Sequence, residues 1–261
     1  MIKLFFIVLF QSKSVFGVED MTEVEKEEII KKAKKWFAES IAANHIANAK
    51  KLENPKEFHI NPFTAVYLAS FLKGKLDADG IARVLVYPRV LGTSIATSFG
   101  MQIQKFTSEV LNAFQSTTGG IDIEFNDCLD GKRKYCQLKA GPYTINKDDI
   151  ATIDGHFQTI KGTAKANNLS LSLDQFVVGI VYGEKKEIND HYKKLEKKYN
   201  YDIFIGKNFW HHLTGDEHFY SDLLEAITKV AIEANFKEEL ETIISKLADE
   251  DIIKELANVE K

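Results

Sequence analysis

Gly120-Ile121-Asp122-Ile123-Glu124-Phe125, the turn Asp130-Gly131, and Tyr135-Cys136-Gln137-Leu138-Lys139-Ala140-Gly141-Pro142 form the stretch that decides the fold. Apolar and polar residues alternate on both sides of an Asp-Gly pair, which is the signature of a β-hairpin. Side chains alternate along a strand, so Asp122 and Glu124 share one face. On the return strand Gln137 and Lys139 share a face, Cys136 and Leu138 take the other, and Gly141-Pro142 ends the strand. Downstream, periodicity predicts a helix from about Asn146 to Ala166, a strand over Phe176 to Tyr182, a helix over Asp190 to Tyr199, a strand over Asp202 to Ile205, and helices from Ser221 and Glu238 onward. That order implies an α/β (α+β) fold, a mixed β-sheet flanked by helices.

Upstream the chain is helical. Ile29, Ile30, Ala33, Trp36, Phe37 and Ile41 recur at helical spacing between Glu23 and about Lys51, as one long helix or two shorter ones. Further helices are expected over Phe63 to Leu72, over Ile81 to about Tyr87, where Pro88 disfavours continuation, and over Met101 to Phe114. The domain layout expected is a helical region over 21–100 that makes dimer or DNA contacts, a catalytic core over 101–235, and an acidic C-terminal helix over 236–261. Lys3 before the short apolar run Leu4 to Phe10 can be read as a weak signal peptide or a first structural element. The preferred reading of 1–20 is upstream sequence ahead of a start at Met21, which begins a charged, well-patterned helix.

Composition narrows the function. With 34 basic and 38 acidic residues the chain is no blanket polycation, so any nucleic-acid contact must use a local basic surface. One exists: residues 131–165 carry seven basic residues against three acidic ones, whereas 236–261 carry eight acidic residues against four lysines. Two cysteines, Cys128 and Cys136, build neither a disulfide framework nor a four-ligand zinc site, and point to reduced thiols in the cytoplasm. No apolar run is long enough for a membrane span, and no membrane contact is expected. Adjacent His211-His212 diverge, and with His218 they lack a zinc spacing.

The hairpin carries the candidate chemistry. Asp122, the Gln137 amide oxygen and the Leu138 main-chain carbonyl are oxygen donors of the kind Mg²⁺ prefers, and Lys139 can orient a water or offset developing charge. This set suits phosphodiester hydrolysis. The same alternation also describes an exposed hairpin with polar residues outward.

These residues, with Thr144-Ile145-Asn146-Lys147, Gly206-Lys207-Asn208-Phe209-Trp210 and Leu213-Thr214-Gly215, resemble the PD-(D/E)xK nucleases. Within them they resemble type II restriction endonucleases that cut sites with a GGNCC core, over roughly residues 100 to 225. The resemblance implies a Mg²⁺-dependent homodimer that cuts both strands of a short palindromic GC-rich site in double-stranded DNA, leaves 5′-phosphate ends, and has a cognate cytosine methyltransferase as genetic partner. It places Asp122, Gln137, Lys139 and Glu109 in the catalytic set. Gln137 departs from the family, which usually has Asp or Glu two residues before the lysine. The compensating carboxylate is expected from Glu109, with Glu124 second, and Gln137→Glu is expected to stay active and to lower the Mg²⁺ requirement. Lys147 and Lys161 are candidate phosphate contacts, and Asn146 either contacts DNA or caps the following helix. A structure-selective repair or recombination nuclease of the same fold, and a catalytically silent DNA-binding module, are the alternatives.

Overall fold

The computed structural model describes residues 21–111, 114–234 and 236–258. The expectations for 1–20 lie outside them. In chain order the helices are α1 (Glu23–Trp36), α2 (Ala43–Lys50), α3 (Pro62–Lys73), α4 (Ala78–Pro88) and α5 (Ser94–Glu109). Strands β1 (Ile123–Asn126) and β2 (Arg133–Lys139), helix α6 (Lys147–Ala166), β3 (Phe176–Ile180), α7 (Asp190–Tyr199) and β4 (Asp202–Ile205) follow. Then come α8 (Lys207–Thr214), α9 (Phe219–Glu233), α10 (Phe236–Asp249) and α11 (Asp251–Ala257). Phe37–Ala42 forms a π-helical turn between α1 and α2, so the long amphipathic run is two helices with one wide turn between them.

The sheet runs β1-β2-β3-β4, with β1 antiparallel to β2 and the other pairs parallel. The hairpin and the mixed α/β architecture match the reading of the sequence. Gly131 turns the hairpin at φ 71°, a backbone conformation open to glycine. In the parallel register Gln137 stands beside Val178 and Lys139 beside Ile180. That face is covered by α6 and α7, whose Ile150, Ile153, Phe157, Ile160, Tyr192 and Leu195 pack with Phe176, Val178 and Ile180. Cys136 and Gly179 belong to the other face, where a Cβ at Gly179 would meet the Phe209 ring of α8. All five residues of β3 are buried, as expected for a strand covered on both faces.

Three boundaries differ from expectation. The helix expected over 101–114 spans Ser94–Glu109, because Gly100 is tolerated inside it at a modest helix-propensity cost. Pro88 is the last residue of α4, and the chain continues through Arg89–Thr93 with a kink at Gly92, whose φ of −119° and ψ of −109° are not helical. The chain also divides differently from the expected domains. Among the described residues, 21–26 and 114–221 form one compact unit containing the sheet, and 27–111 with 222–258 form a helical unit. The acidic C-terminal segment therefore belongs with the early helices. Ile243, Ile244, Leu247 and Ile253 share a core with Ala65, Ala69, Ile81 and Val86. Arg83 donates two hydrogen bonds to Glu241, at 2.7 and 3.0 Å, and Lys50 pairs with Glu239. These pairings join acidic residues of the C-terminal segment to basic residues of the early helices. Among the described residues no helix is long and apolar enough to cross a membrane.

Candidate active site

The sheet unit gathers Asp122, Gln137 and Lys139 where β1 ends short of β2. Strand pairing starts at Ile123, opposite Cys136. One residue earlier the Asp122 main-chain N–H donates to the Cys136 carbonyl at 3.1 Å, and its side-chain Oδ2 accepts the Leu138 N–H at 2.7 Å. A carboxylate thus replaces the backbone carbonyl that a longer β1 would offer. Asp122 Oδ1 has no hydrogen-bond partner among the described residues. Burial pushes the Asp122 carboxyl above its usual range, opposed by the Leu138 N–H and by the charge of Lys139.

Strand geometry leaves the Leu138 carbonyl on the same side. A strand residue presents its N–H and C=O to the same neighbour. Leu138 directs its N–H to Asp122, whereas the next carbonyl, of Lys139, faces β3 and accepts from Val181 N at 3.0 Å.

Gln137 is buried and held by its amide nitrogen, which contacts the Gly120 carbonyl and lies 2.6 Å from His156 Nδ1. Lys139 Nζ lies 3.9 Å from Asp149 Oδ1 on α6. Asp149 is fixed in turn by a capping box: its Oδ2 accepts from Asn146 N, and the Asn146 side chain accepts from Asp148 N and Asp149 N. Of the two roles open to Asn146, the cap is the one its side chain performs. His156 and Asp149 are the neighbours sequence reading missed. Each looks in sequence like an ordinary polar residue on a half-exposed helix, and only the packing of α6 over β2 turns them to the hairpin.

The turn after Lys139 is pinned from several sides. Gly141 O accepts from Tyr192 Oη at 3.1 Å and Thr144 Oγ1 at 2.8 Å, Pro142 O accepts from Asn189 N, and Ile145 O accepts from Asn189 Nδ2. These contacts give the Gly-Pro-x-x-Ile-Asn segment its physical content. In the Gly206 to Trp210 segment, Gly206 adopts φ 53° and its missing Cβ leaves room for the Gly183 carbonyl. Phe209 and Trp210 are fully buried beneath it.

The remaining candidates stand elsewhere. Glu124 is occupied: Ser116 Oγ, Thr118 Oγ1 and Arg133 Nη2 all donate to it. Burial works against its ionisation, and those donors outweigh it and hold the carboxyl below its usual range. Glu109 ends α5 in the helical unit and is exposed. Lys147 and Lys161 are exposed on α6. By the 3.6-residue period they lie on the flank opposite Asp149 and His156. His212 donates from Nδ1 to the fully buried Asp127 carboxylate, 2.8 Å away, and stacks on Phe204. Among the described residues no group of three or more His, Cys, Asp or Glu side chains could hold a metal.

No curated protein matches the chain. A sequence model of the family described as Type II restriction endonuclease EcoO109I matches residues 82–235, well over half of the chain, including the hairpin, α6 and the whole sheet. The chain accordingly belongs to the EcoO109I family of type II restriction endonucleases, enzymes that cut DNA at specific sequences.

Proposed function

We propose that this chain hydrolyses both strands of a short palindromic GC-rich site of the GGNCC type in double-stranded DNA, with Mg²⁺ as cofactor, as a homodimer in the cytoplasm. The observation that carries the reading is the Asp122 carboxylate, tethered by Oδ2 to Leu138 N between Gln137 and Lys139, with Oδ1 unengaged. A half-buried carboxylate whose charge is not neutralised by a bonded cation, beside the Gln137 amide and Leu138 carbonyl oxygens, fits a hard divalent ion. When bound, Mg²⁺ supplies positive charge against the scissile phosphate and acidifies the attacking water. Asp122, Gln137 and the Leu138 carbonyl are the groups that hold it. Lys139 orients the water and offsets charge on the phosphate, and Asp149 restrains the ammonium. The water oxygen bonds to phosphorus and gives up a proton to solvent while the bond to the 3′ oxygen breaks and that oxygen takes a proton from solvent, leaving a 5′-phosphate and a 3′-hydroxyl.

Glu109 is our candidate for the negative charge that Gln137 does not bring. Lys147 and Lys161 would contact phosphates away from the scissile one, and Asn146 would reach DNA only through its main chain. Two cuts need two such hairpins, and the described residues hold one, which favours two-fold pairing on a two-fold site. The exposed face of α3 supports a partner surface: Phe63, Tyr67 and Phe71 recur every four residues and are 85, 65 and 78% exposed. A cognate cytosine methyltransferase would protect the host's own sites. Digestion of plasmid DNA with Mg²⁺ tests the proposal. Discrete fragments with ligatable 5′-phosphate ends at GGNCC-containing sites are expected, and intact DNA, a smear, or cuts at unrelated sequences would overturn it.

A further inference from the structure

Gln137 occupies a position where a carboxylate would be the simpler ligand, and its surroundings explain the amide. The group nearest its side-chain nitrogen is the Gly120 carbonyl, which can only accept. The atom there must therefore be the donor, which fixes the orientation of the amide. The second amide hydrogen then points to His156 Nδ1 at 2.6 Å, so that ring nitrogen is the acceptor and the ring proton sits on Nε2. With both hydrogens used, Oε1 lies on the opposite side of the planar group and receives no hydrogen bond among the described residues.

The seat of the ring is built into the backbone. Gly120 has φ 84°, and a Cβ there would lie 2.5 Å from His156 Cγ, so the imidazole occupies space that any other residue at 120 would fill. His156 reaches that seat from α6, one turn short of Ile160 and beside the buried Phe157, which anchor the helix to the sheet. Ring, glycine and amide form one interlocked set.

We propose that His156 is a positioning residue of the cation site: by accepting from the Gln137 amide nitrogen it locks the amide oxygen in the orientation of a metal ligand. The proposal rests on the metal-dependent reading given above. It also accounts for glutamine in place of an acid, since a carboxylate has no hydrogen to give to either Gly120 or an Nδ1 acceptor. An outer-sphere partner of this kind changes metal affinity by about 10- to 100-fold when removed.

The test is equilibrium binding of Mn²⁺ alone to the full chain, followed by electron paramagnetic resonance of the free ion. His156→Asn keeps an acceptor near the position of Nδ1, and His156→Leu has nearly the same shape without one. Weakening by about 10-fold or more in the leucine variant, with asparagine within a few-fold of wild type, is expected. In a Gln137→Leu background His156→Leu should add no further loss. Wild-type affinity in His156→Leu, equal weakening by asparagine and leucine, or a loss that persists without Gln137 would each overturn the proposal. Wild-type protein that binds no Mn²⁺ would overturn the metal reading itself, a distinguishable failure. Long-range ¹H–¹⁵N correlation on the wild type needs no variant to fold: His156 should show an unprotonated Nδ1 and a protonated Nε2, and the reverse tautomer would refute the lock.

Discussion

Gln137→Glu separates what the site needs for a cation from what the fold needs without one. Gln137 is only 6% exposed, and its amide nitrogen serves Gly120 O and His156 Nδ1. Glutamate removes both donors. Each neutral hydrogen bond contributes a net of about 1 kcal/mol, so the loss is about 2 kcal/mol before any cost of burying the new charge. The added carboxylate also stands near Asp122, whose own carboxyl burial already disfavours as an anion. For a chain of this size about 2 kcal/mol corresponds to a fall in Tm of roughly 4–8 °C. The assay is thermal unfolding in EDTA and then over a Mg²⁺ series. Metal-free Gln137→Glu should melt several degrees below wild type, and Mg²⁺ should raise its Tm by more than it raises that of wild type, because ligand binding to the folded state stabilises by mass action. Gln137→Leu, which loses the same two hydrogen bonds and adds no charge, should lose metal-free stability and show little Mg²⁺ response. If metal-free Gln137→Glu melts with wild type, or Mg²⁺ shifts the two equally, the hydrogen-bond reasoning fails.

Asp122→Ala and Lys139→Ala should each slow cleavage at least about 100-fold while gel-shift binding of DNA persists, and near-normal rates at saturating Mg²⁺ would place the active site elsewhere. Glu109→Gln should reduce Mg²⁺-dependent turnover without altering metal-free Tm, and an unchanged Mg²⁺ titration would remove this carboxylate from the site. Asp127 is fully buried and pairs with His212 and Lys134, and Asp127→Asn should cost about 2–3 kcal/mol in chemical denaturation. Burial opposes the charge on Asp127, but His212, the Leu129 N–H and Lys134 outweigh it and hold the carboxyl below its ordinary range. Its contribution is therefore complete above about pH 4 and is lost as pH falls through the depressed folded value, and Asp127→Asn should flatten that acid limb. Phe63→Ser with Phe71→Ser should shift sedimentation from dimer to monomer if the α3 face pairs two copies, and an unchanged dimer would exclude that face.

Local signals alone determined the hairpin, its Asp-Gly turn, the capped helix that follows, and the alternation placing Gln137 and Lys139 together. Each depends on residues within a few positions of one another: turn chemistry at Asp130-Gly131, the Asn146 cap with Asp149, and period-two patterning along β2. The same short range made Asp122 and Lys139 legible as a pair across one hairpin. Tertiary structure decided what long-range packing sets. Glu124 looks equivalent to Asp122 in sequence, yet Ser116, Thr118 and Arg133 surround it, while the end of β1 leaves Asp122 facing Leu138 N. The C-terminal helices join α3 and α4 because their apolar faces are complementary in three dimensions, although Glu241 lies 158 positions after Arg83. His156 and Asp149 reach the hairpin only because α6 crosses back over β2. A polar residue on the flank of an amphipathic helix carries no mark of what it will face, since that depends on the rotation and position at which its apolar stripe docks.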